Sequence, residues 1–301
     1  MATLTAHPRD DRTSLGIILM LSAWAFFALT DTTVKWLVMA GIPAMQLAFF
    51  RYAVAFGLSL GNGLRHGQFF VGLDRRDLLL VTLRGSLLVM ATVLNFIALN
   101  YLPLSVTSTI MNTAPILVTL LAIPLLGEKV GPWRLVAVLL GFTGVLVVIR
   151  PFGEDFHWAT LLILANACGL ALFSILTRQM AGRIAPQTMQ LYMGALGTIV
   201  LLPFVLWTWQ TPDTPLQWVG LASVGLWAWT GHEMFSRAHL HAEAGVLSPF
   251  GYVFILYMTL GGYLLFGHVP DAATLIGAAI IVASGLLIWW REGKRRPPHA
   301  T

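Results

Sequence analysis

The strongest constraint on this chain is a series of long apolar runs, separated by short segments that carry Gly, Pro, Asp and Arg. Ten runs have about the length that an α-helix needs to cross a bilayer. They are residues 14–38, 43–64, 77–100, 104–126, 131–149, 156–178, 187–208, 215–236, 244–266 and 271–291. The chain is 57% hydrophobic and only 10% charged, whereas soluble domains are about 25% charged. We therefore predict an all-α polytopic membrane protein with ten transmembrane helices.

The distribution of positive charge predicts the orientation of these spans. Of the 18 Lys and Arg residues, 14 fall on the same side as the two termini, so the positive-inside rule places both termini in the cytoplasm. The net charge of +5 is thereby attributed to topology, and no nucleic-acid partner is expected. No cleavable signal peptide is recognised at the N-terminus. The single cysteine, Cys168, excludes an intramolecular disulfide.

A repeat relates the two halves of the chain. The stretch from Asn112 to Val145 recurs in altered form about 140 residues later, from Tyr252 to Leu286. The identical pairs include Ser108 with Ser248, Leu125 with Leu265 and Gly127 with Gly267. Five spans per half is an odd number, so residues 152–301 are predicted to be inverted relative to residues 1–151. An inverted repeat places the substrate site near the midplane, between halves that expose it alternately.

Short motifs along both halves point to a known family. In the first half they are Trp24, Arg51, Arg84-Gly85, Tyr101-Leu102-Pro103-Leu104, Ala114-Pro115, Leu126-Gly127-Glu128-Lys129 and Arg150-Pro151; in the second half they are Ala238, Pro249-Phe250, Phe266-Gly267, Gly277-Ala278 and Ser284-Gly285-Leu286. In order and spacing these residues resemble the ten-helix, EamA-type branch of the drug/metabolite transporter superfamily. The resemblance implies a central cavity lined by spans 1–4 and 6–9, with spans 5 and 10 packed outside. Within the family the chain looks closest to bacterial amino-acid exporters.

Two further patterns bear on this resemblance. His268 stands where family members usually have an acidic residue, so no carboxylate is expected to act at that turn. Spans 5 and 10 carry small residues four positions apart, Ala137 with Gly141 and Ala279 with Ala283. Small residues at this spacing permit close helix packing in membranes, so these pairs are compatible with spans 5 and 10 packing outside the cavity.

Charged side chains inside the spans are costly and are expected to have a partner or a cavity. Asp31 and Lys35 lie four residues apart on span 1, and Arg51 lies at a similar depth on span 2. These three residues form either a gate or substrate-carboxylate site, or a structural ion pair that holds spans 1 and 2 together. Arg84 on span 3 lies in the inner half of the membrane and is a further gating or ion-pair candidate.

His232 and Glu233 on span 8 are candidates for proton coupling, because burial brings the titration of a carboxyl group towards neutral pH. Glu233 could equally pair with Arg84 or Arg237. His232-Glu233 also begins like the zinc-protease pattern HExxH, but Ser236 occupies the position of the second histidine. No enzyme, cofactor or metal site is therefore expected.

Several uncharged side chains are candidates for the cavity wall. Most of the 11 tryptophans lie near span ends, where the interfacial belt explains them. Trp24 and Trp227 lie deeper, and they line either a cavity or a lipid- or core-facing surface. Hydrogen-bonding residues in mid-span either join helices or contact a polar ligand; the candidates are Asn95, Ser108, Asn112, Asn166 and Tyr252.

Proline and glycine positions predict where the spans bend. Pro115 and Pro249 interrupt spans 4 and 9, which are repeat partners, and each frees a backbone carbonyl. Gly127 and Gly267 occupy the two corresponding turns. We predict that these four residues act as hinges, and that the transport site lies near the broken spans.

The function predicted from the sequence is export of small metabolites, most simply neutral or aromatic amino acids, across the bacterial inner membrane. The partners expected are a small-molecule substrate and the lipid bilayer; a monomer suffices, and a homodimer is left open. A carrier of nucleotide sugars, nucleosides or drugs is the alternative. Phosphorylated cargo would require several basic residues at the cavity centre, and only Arg51 and Arg84 qualify. A structural or signalling role is less consistent with an inverted repeat.

Overall fold

The computed structural model describes residues 13–65, 73–126, 132–151, 156–180, 183–242 and 247–295. Over these ranges the chain is helical and contains no strand. The helices are α1 (Thr13–Met39), α2 (Ala44–Arg65), α3 (Arg75–Tyr101), α4 (Leu104–Met111), α5 (Ala114–Leu126), α6 (Pro132–Ile149), α7 (Ala159–Met180), α8 (Pro186–Thr208), α9 (Pro215–His241), a 3₁₀ helix (Ser248–Tyr252), α10 (Val253–Phe266) and α11 (Ala272–Arg295).

The helices have the length and composition of a polytopic membrane protein. Among the described residues, α1, α2, α3, α7 and α8 each contain a segment long and apolar enough to cross a bilayer. Four shorter apolar helical segments coincide with α4–α5, α6, the 3₁₀ helix with α10, and α11. The predicted all-α membrane architecture is therefore confirmed, while the count of ten spans and the cytoplasmic termini stay predictions.

Helix ends follow local sequence signals. Asp74 caps α3 by accepting a hydrogen bond from the amide of Asp77. Thr214 and Gln217 form a capping box at the start of α9, where side-chain oxygens satisfy amides that lack a helical partner. Gly267 ends α10 in the left-handed region, with φ of 65°, and the amides of Gly267 and His268 bond back into the last turn. A glycine adopts this conformation without steric cost, so Gly267 acts as a helix stop.

Predicted spans 4 and 9 are both broken. The first breaks at Asn112 and Thr113, so that α4 ends at Met111 and α5 begins at Ala114. Pro115 occupies the first turn of α5, where a missing amide costs no helical hydrogen bond. The second begins with a 3₁₀ helix that has Pro249 in its first turn and passes directly into α10. The breaks lie close to the predicted hinge residues, whose movement stays a prediction; Gly127 lies outside the described residues.

The halves pack on each other in corresponding pairs. Helix α1 packs along α9, and the equivalent helices α7 and α3 also pack together. Helix α2 packs on α8, and α6 on α11. In the α1/α9 pair, Gly16 lies against Ala238 and Ala242, whereas Gly220 lies against Trp36 near the opposite end, so the two helices run antiparallel. This pattern is consistent with the predicted inverted halves, residues 1–151 and 152–301, which stay a prediction.

Helices α6 and α11 pack against each other through only some of the small residues noted in spans 5 and 10. On α6, Gly141 lies against Ser284 of α11 and Gly144 lies against Gly277 and Ile281, while Ala137 is buried. On α11 the close contacts come from Gly277, Ile281 and Ser284, whereas Ala279 and Ala283 are exposed. The small pair noted on span 10 does not form this contact, because residue size alone does not determine which face of a helix is turned inward. The interface still relies on small residues that let the backbones approach.

Two polar contacts link the first half of the chain to the second at the predicted outer end of the helix bundle. The Gln46 side chain donates a hydrogen bond of 2.9 Å to the carbonyl of Gln210 and accepts one of 3.0 Å from its amide. Arg150, after α6, pairs with Asp271, before α11. Each contact connects the first half of the chain to the second, so the two halves are held together at this end.

Candidate functional site

Four aromatic rings and a histidine meet where α1, α9 and α10 approach each other. The ring of Trp24 lies 5.6 Å from Phe27, 6.2 Å from Phe235 and 5.5 Å from Phe254, measured between ring centres. The ring of His232 lies 4.9 Å from Phe27. We refer to Trp24, Phe27, His232, Phe235 and Phe254 as the aromatic cluster. It combines residues of both halves, which is where an inverted-repeat carrier places its substrate.

The aromatic cluster also presents unused polar atoms. Trp24 Nε1 and His232 Nε2 are buried and have no hydrogen-bond partner among the described residues. Gly251 of the 3₁₀ helix lies against the Trp24 ring, where a Cβ atom would be 3.4 Å from Trp24 Cζ2. Buried polar atoms usually find a partner, so these two nitrogens are suited to contact a polar group of a bound solute.

A second group of residues lies nearer the predicted outer end, between α1, α2 and α3. Asn95 Nδ2 donates a hydrogen bond of 3.1 Å to the Asp31 carboxylate. Thr92 Oγ1 accepts from Arg51 Nη1 and lies 2.8 Å from the hydroxyl of Tyr52. We refer to Asp31, Arg51, Tyr52, Thr92 and Asn95 as the polar cluster. Asn95 Oδ1 is buried without a partner among the described residues.

The Lys35 side chain binds the end of α3 and is not part of the polar cluster. Its ammonium donates hydrogen bonds of 3.0 and 2.9 Å to the carbonyl oxygens of Leu99 and Leu102. These carbonyls belong to the C-terminal end of α3, where a cation complements the helix dipole. The expected ion pair among Asp31, Lys35 and Arg51 does not form in the described part of the chain. This corrects the structural interpretation: Asp31 and Lys35 join α1 to α3, and not to α2. A gating role for these residues stays a prediction.

Arg84 lies on α3 about three helical turns before Asn95, or about 16 Å along the axis. Its Nε donates a hydrogen bond of 2.7 Å to Thr177 Oγ1 of α7, and its guanidinium carbon lies 4.1 Å from the centre of the Phe173 ring. Nearby on the same interface, Asn166 Nδ2 donates to the carbonyl of Ala91 over 2.5 Å. These bonds join the two halves across α3 and α7.

Other predicted cavity residues are placed apart from the aromatic cluster. Trp227 packs on Phe26, 5.7 Å away, on a different face of α1 from Trp24. The Tyr252 hydroxyl contacts Gly285 of α11. Ser108 and Asn112 bond to backbone carbonyls of their own helix, α4. Substrate contact by these four residues is untested, and their placement favours structural roles.

The two proton-coupling candidates, Glu233 and His232, lie in different environments. Glu233 accepts a hydrogen bond of 2.8 Å from Arg237 one turn later, and its side chain is 34% exposed. Its partner is therefore Arg237 and not Arg84. His232 instead belongs to the aromatic cluster and lies within electrostatic range of Arg51 and Arg84.

His268, at the turn after α10, stacks on Phe266 with ring centres 5.9 Å apart. Partial burial and the nearby Lys35 ammonium lower the pKa of His268. The imidazole is therefore kept neutral near pH 7.

Sequence reasoning missed the partners of the functional candidates. These are Phe27, Tyr52, Thr92, Phe173, Thr177, Phe235 and Phe254. One signal was present: Thr92 and Asn95 are three residues apart, so they share a helix face that also includes Leu99. The aromatic partners carry no such signal, because phenylalanine is common in every span.

Comparison with known proteins identifies the family. The model described as the EamA-like transporter family matches residues 14–150 and, again, residues 157–290. The chain belongs to this family. Its members, and the relatives named below, are transporters and not enzymes, so the chain is a multi-pass membrane transporter for a small molecule.

Three relatives illustrate the range of cargo in the family. The chain is 30% identical to a riboflavin transporter of Vibrio cholerae, over 93% of this chain and 95% of that protein. It is 28% identical to the pseudopaline exporter CntI of Pseudomonas aeruginosa, over 89% and 94%. It is 26% identical to an S-adenosylmethionine uptake transporter of Rickettsia felis, over 84% and 85%. A crystal structure with 18% sequence identity superposes with a TM-score of 0.65 over 96% of this chain and supports the fold.

Proposed function

We propose that this protein is a bacterial inner-membrane carrier for small metabolites that contain a planar ring, and that it moves them by alternating access. The observation that carries the proposal is the aromatic cluster, because it combines residues from both halves of the chain with buried nitrogen atoms that lack partners. Aromatic rings bind planar ligands through stacked or edge-to-face contacts.

The aromatic amino acids fit this description better than aliphatic ones. A planar side chain can pack on Trp24 and Phe27, while Trp24 Nε1 donates a hydrogen bond to a polar group of the cargo. Riboflavin and S-adenosylmethionine, which relatives of this chain are named for, also contain a planar heterocycle. The relatives include both an exporter and an uptake transporter, and export is proposed here from the sequence resemblance.

Access from alternate sides is supported by the two broken spans. The break after Met111 and the 3₁₀ helix before Val253 lie in corresponding positions of the two proposed repeats. Broken helices in matched positions are typical of carriers that rock one repeat against the other around a central site. Pro115 and Pro249 are proposed to permit this movement, with both termini in the cytoplasm and a monomer as the working unit.

The experiment is flux into liposomes that contain the purified protein. Labelled tryptophan, phenylalanine, riboflavin and leucine are compared, with and without a proton gradient. We expect saturable flux of at least one ring-containing solute and little flux of leucine. The absence of saturable flux for every ring-containing solute, or a preference for leucine, would contradict the proposed cargo.

A matched pair of variants locates the site. Trp24→Leu removes the ring at the centre of the aromatic cluster, and Trp227→Leu removes one that packs on Phe26. An aromatic pair contributes about 0.5–1.5 kcal/mol beyond buried area, which is about a 2- to 12-fold change in affinity. We expect Trp24→Leu to raise the KM by this factor and Trp227→Leu to leave it unchanged. Equal effects would place the cargo elsewhere.

A further inference from the structure

The charge of Arg84 is not neutralised by the described part of the chain. Its side chain is buried, with 7% of its surface exposed. Thr177 accepts from Nε and the Phe173 ring lies against the guanidinium carbon, but Nη1 is buried and has no hydrogen-bond partner in the part of the chain that the structure describes. Within the described residues no carboxylate forms an ion pair with it. A guanidinium has five N–H donors in a planar fork, so most of its binding capacity is unused.

Two other cations within the described helices, Lys35 and Arg51, are compensated. Lys35 binds two carbonyl oxygens at the end of α3. Arg51 donates to Thr92 and lies within electrostatic range of the Asp31 carboxylate. Among the described residues, Arg84 donates no hydrogen bond to a backbone carbonyl and forms no ion pair with a carboxylate. A buried charge ordinarily has a partner of opposite sign, because an unpaired one is costly to hold away from water.

Arg84 is also placed near the aromatic cluster. Phe173, whose ring lies against the Arg84 guanidinium, packs on the same buried apolar core as Trp24 and Phe27. A solute that packs its ring on Trp24 and Phe27 can therefore direct a short side arm towards α3. Phe173 and Thr177 hold the guanidinium from the α7 side, which fixes its orientation.

We infer that Arg84 binds a carboxylate of the cargo, so that the preferred substrates are aromatic carboxylates, including aromatic amino acids, and not uncharged ring compounds. The inference rests on the proposed function and specifies its substrate class. A planar guanidinium matches a carboxylate with two parallel hydrogen bonds. One uncompensated cation matches one negative charge, which favours a carboxylate over a doubly charged phosphate ester.

The test compares two ligands of equal size that differ in charge: indole-3-acetate and indole-3-acetamide. Their binding to the purified protein in detergent is measured by isothermal titration calorimetry. We expect the carboxylate to bind about tenfold or more tightly than the amide, the effect of a charge-assisted hydrogen bond. Equal affinities would overturn the role of Arg84 but leave the aromatic site intact. No binding of either ligand would contradict the proposed function itself.

Variants then assign the preference to one residue. Arg84→Gln is expected to remove the preference for the carboxylate without weakening the amide, and Arg84→Lys to restore part of it. Arg237→Gln, which removes an exposed cation paired with Glu233, is the control and is expected to keep the preference. If Arg84→Gln weakened both ligands equally, Arg84 would be structural. The wild-type comparison decides the inference even where Arg84→Gln fails to fold.

Discussion

The Asn95 amide on α3 donates a hydrogen bond of 3.1 Å to the Asp31 carboxylate on α1. Both side chains are buried, and the remaining Asn95 oxygen has no partner among the described residues. The Asp31 carboxylate therefore accepts its hydrogen bond from a neutral amide and also interacts electrostatically with the Arg51 guanidinium. Buried polar contacts of this kind are costly to disrupt from one side only.

Two substitutions of Asp31 separate shape from hydrogen bonding. In Asp31→Asn the amide oxygen can accept the same bond from Asn95, so we expect little change in the melting temperature. In Asp31→Leu the Asn95 Nδ2 loses its acceptor and is left buried without a partner, and we expect a loss of about 1–3 kcal/mol in the free energy of unfolding. Thermal unfolding of the purified variants in detergent measures the difference. Equal stability of the two variants would contradict the role given to this bond.

Substitution of Lys35 tests the helix cap. Lys35→Met removes two charged hydrogen bonds to the end of α3 and should cost about 1.5–3 kcal/mol. Lys35→Arg keeps a cation near the same carbonyls and should retain most of the stability. Hydrogen exchange of the backbone amides around Leu102 and Leu104 should increase in Lys35→Met alone. Unchanged exchange there would show that the cap is dispensable.

The two proton-coupling candidates should respond differently. Glu233 is balanced by Arg237 and partly exposed, so Glu233→Gln is expected to keep any dependence of flux on a proton gradient. His232 is part of the aromatic cluster, with its ring 4.9 Å from Phe27. His232→Gln is therefore expected to reduce the dependence of flux on the proton gradient. Flux into liposomes with and without a gradient provides the measurement. Loss of gradient dependence in Glu233→Gln alone would reverse this assignment.

Two glycine substitutions should change stability in opposite directions. A Cβ atom at Gly225 of α9 would lie 2.7 Å from the Phe50 carbonyl oxygen of α2, whereas nothing lies within 4 Å of a Cβ atom at Gly57. Gly225→Ala should therefore destabilise by about 1–3 kcal/mol through overpacking. Gly57→Ala should stabilise by up to about 1 kcal/mol through helix propensity. Both expectations are checked by the melting temperatures of the two variants in detergent. A lower melting temperature for Gly57→Ala would show that another group occupies the space beside Gly57.

The stability should depend on pH through His268. Its folded pKa lies below the ordinary value of 6.5, so the unfolded chain binds more protons than the folded chain in the window just below 6.5. Stability from this residue is therefore present above pH 6.5 and is lost as the pH falls through the folded pKa. His268→Gln should flatten the fall in melting temperature between pH 7 and pH 5, relative to the wild type. An unchanged slope would exclude His268 as the source.

Much of the fold could be predicted from the pattern of apolar residues. Apolar runs reveal which segments are helices in a bilayer, because unpaired backbone groups cannot be exposed to lipid. The breaks in spans 4 and 9 lie near Pro115 and Pro249, as predicted, although Pro124 and Pro203 lie inside α5 and α8 without a break. The repeated turns at Gly127 and Gly267 predict two related halves, and this division stays a prediction.

The hydrogen-bond partners of the buried polar groups could not be predicted from the pattern of apolar residues. Asp31 and Lys35 lie on one face of α1, which made an ion pair with Arg51 reasonable, yet both side chains bind α3. The same limit applies to α11, where Gly277 and Ser284 face α6 instead of Ala279 and Ala283. Hydropathy reports that a residue lies within a span, but it does not report how the span is rotated.

The sequence by itself determined that this chain is helical and membrane-spanning, and that it carries few charges at depth. Only the tertiary structure decided which of those charges are neutralised. Lys35 reaches the carbonyls of α3 and Arg51 lies near Asp31, while Arg84 keeps an unused nitrogen beside Phe173. The physical reason is that neutralisation depends on distances between helices, which are set by packing across the two halves and not by spacing along one of them.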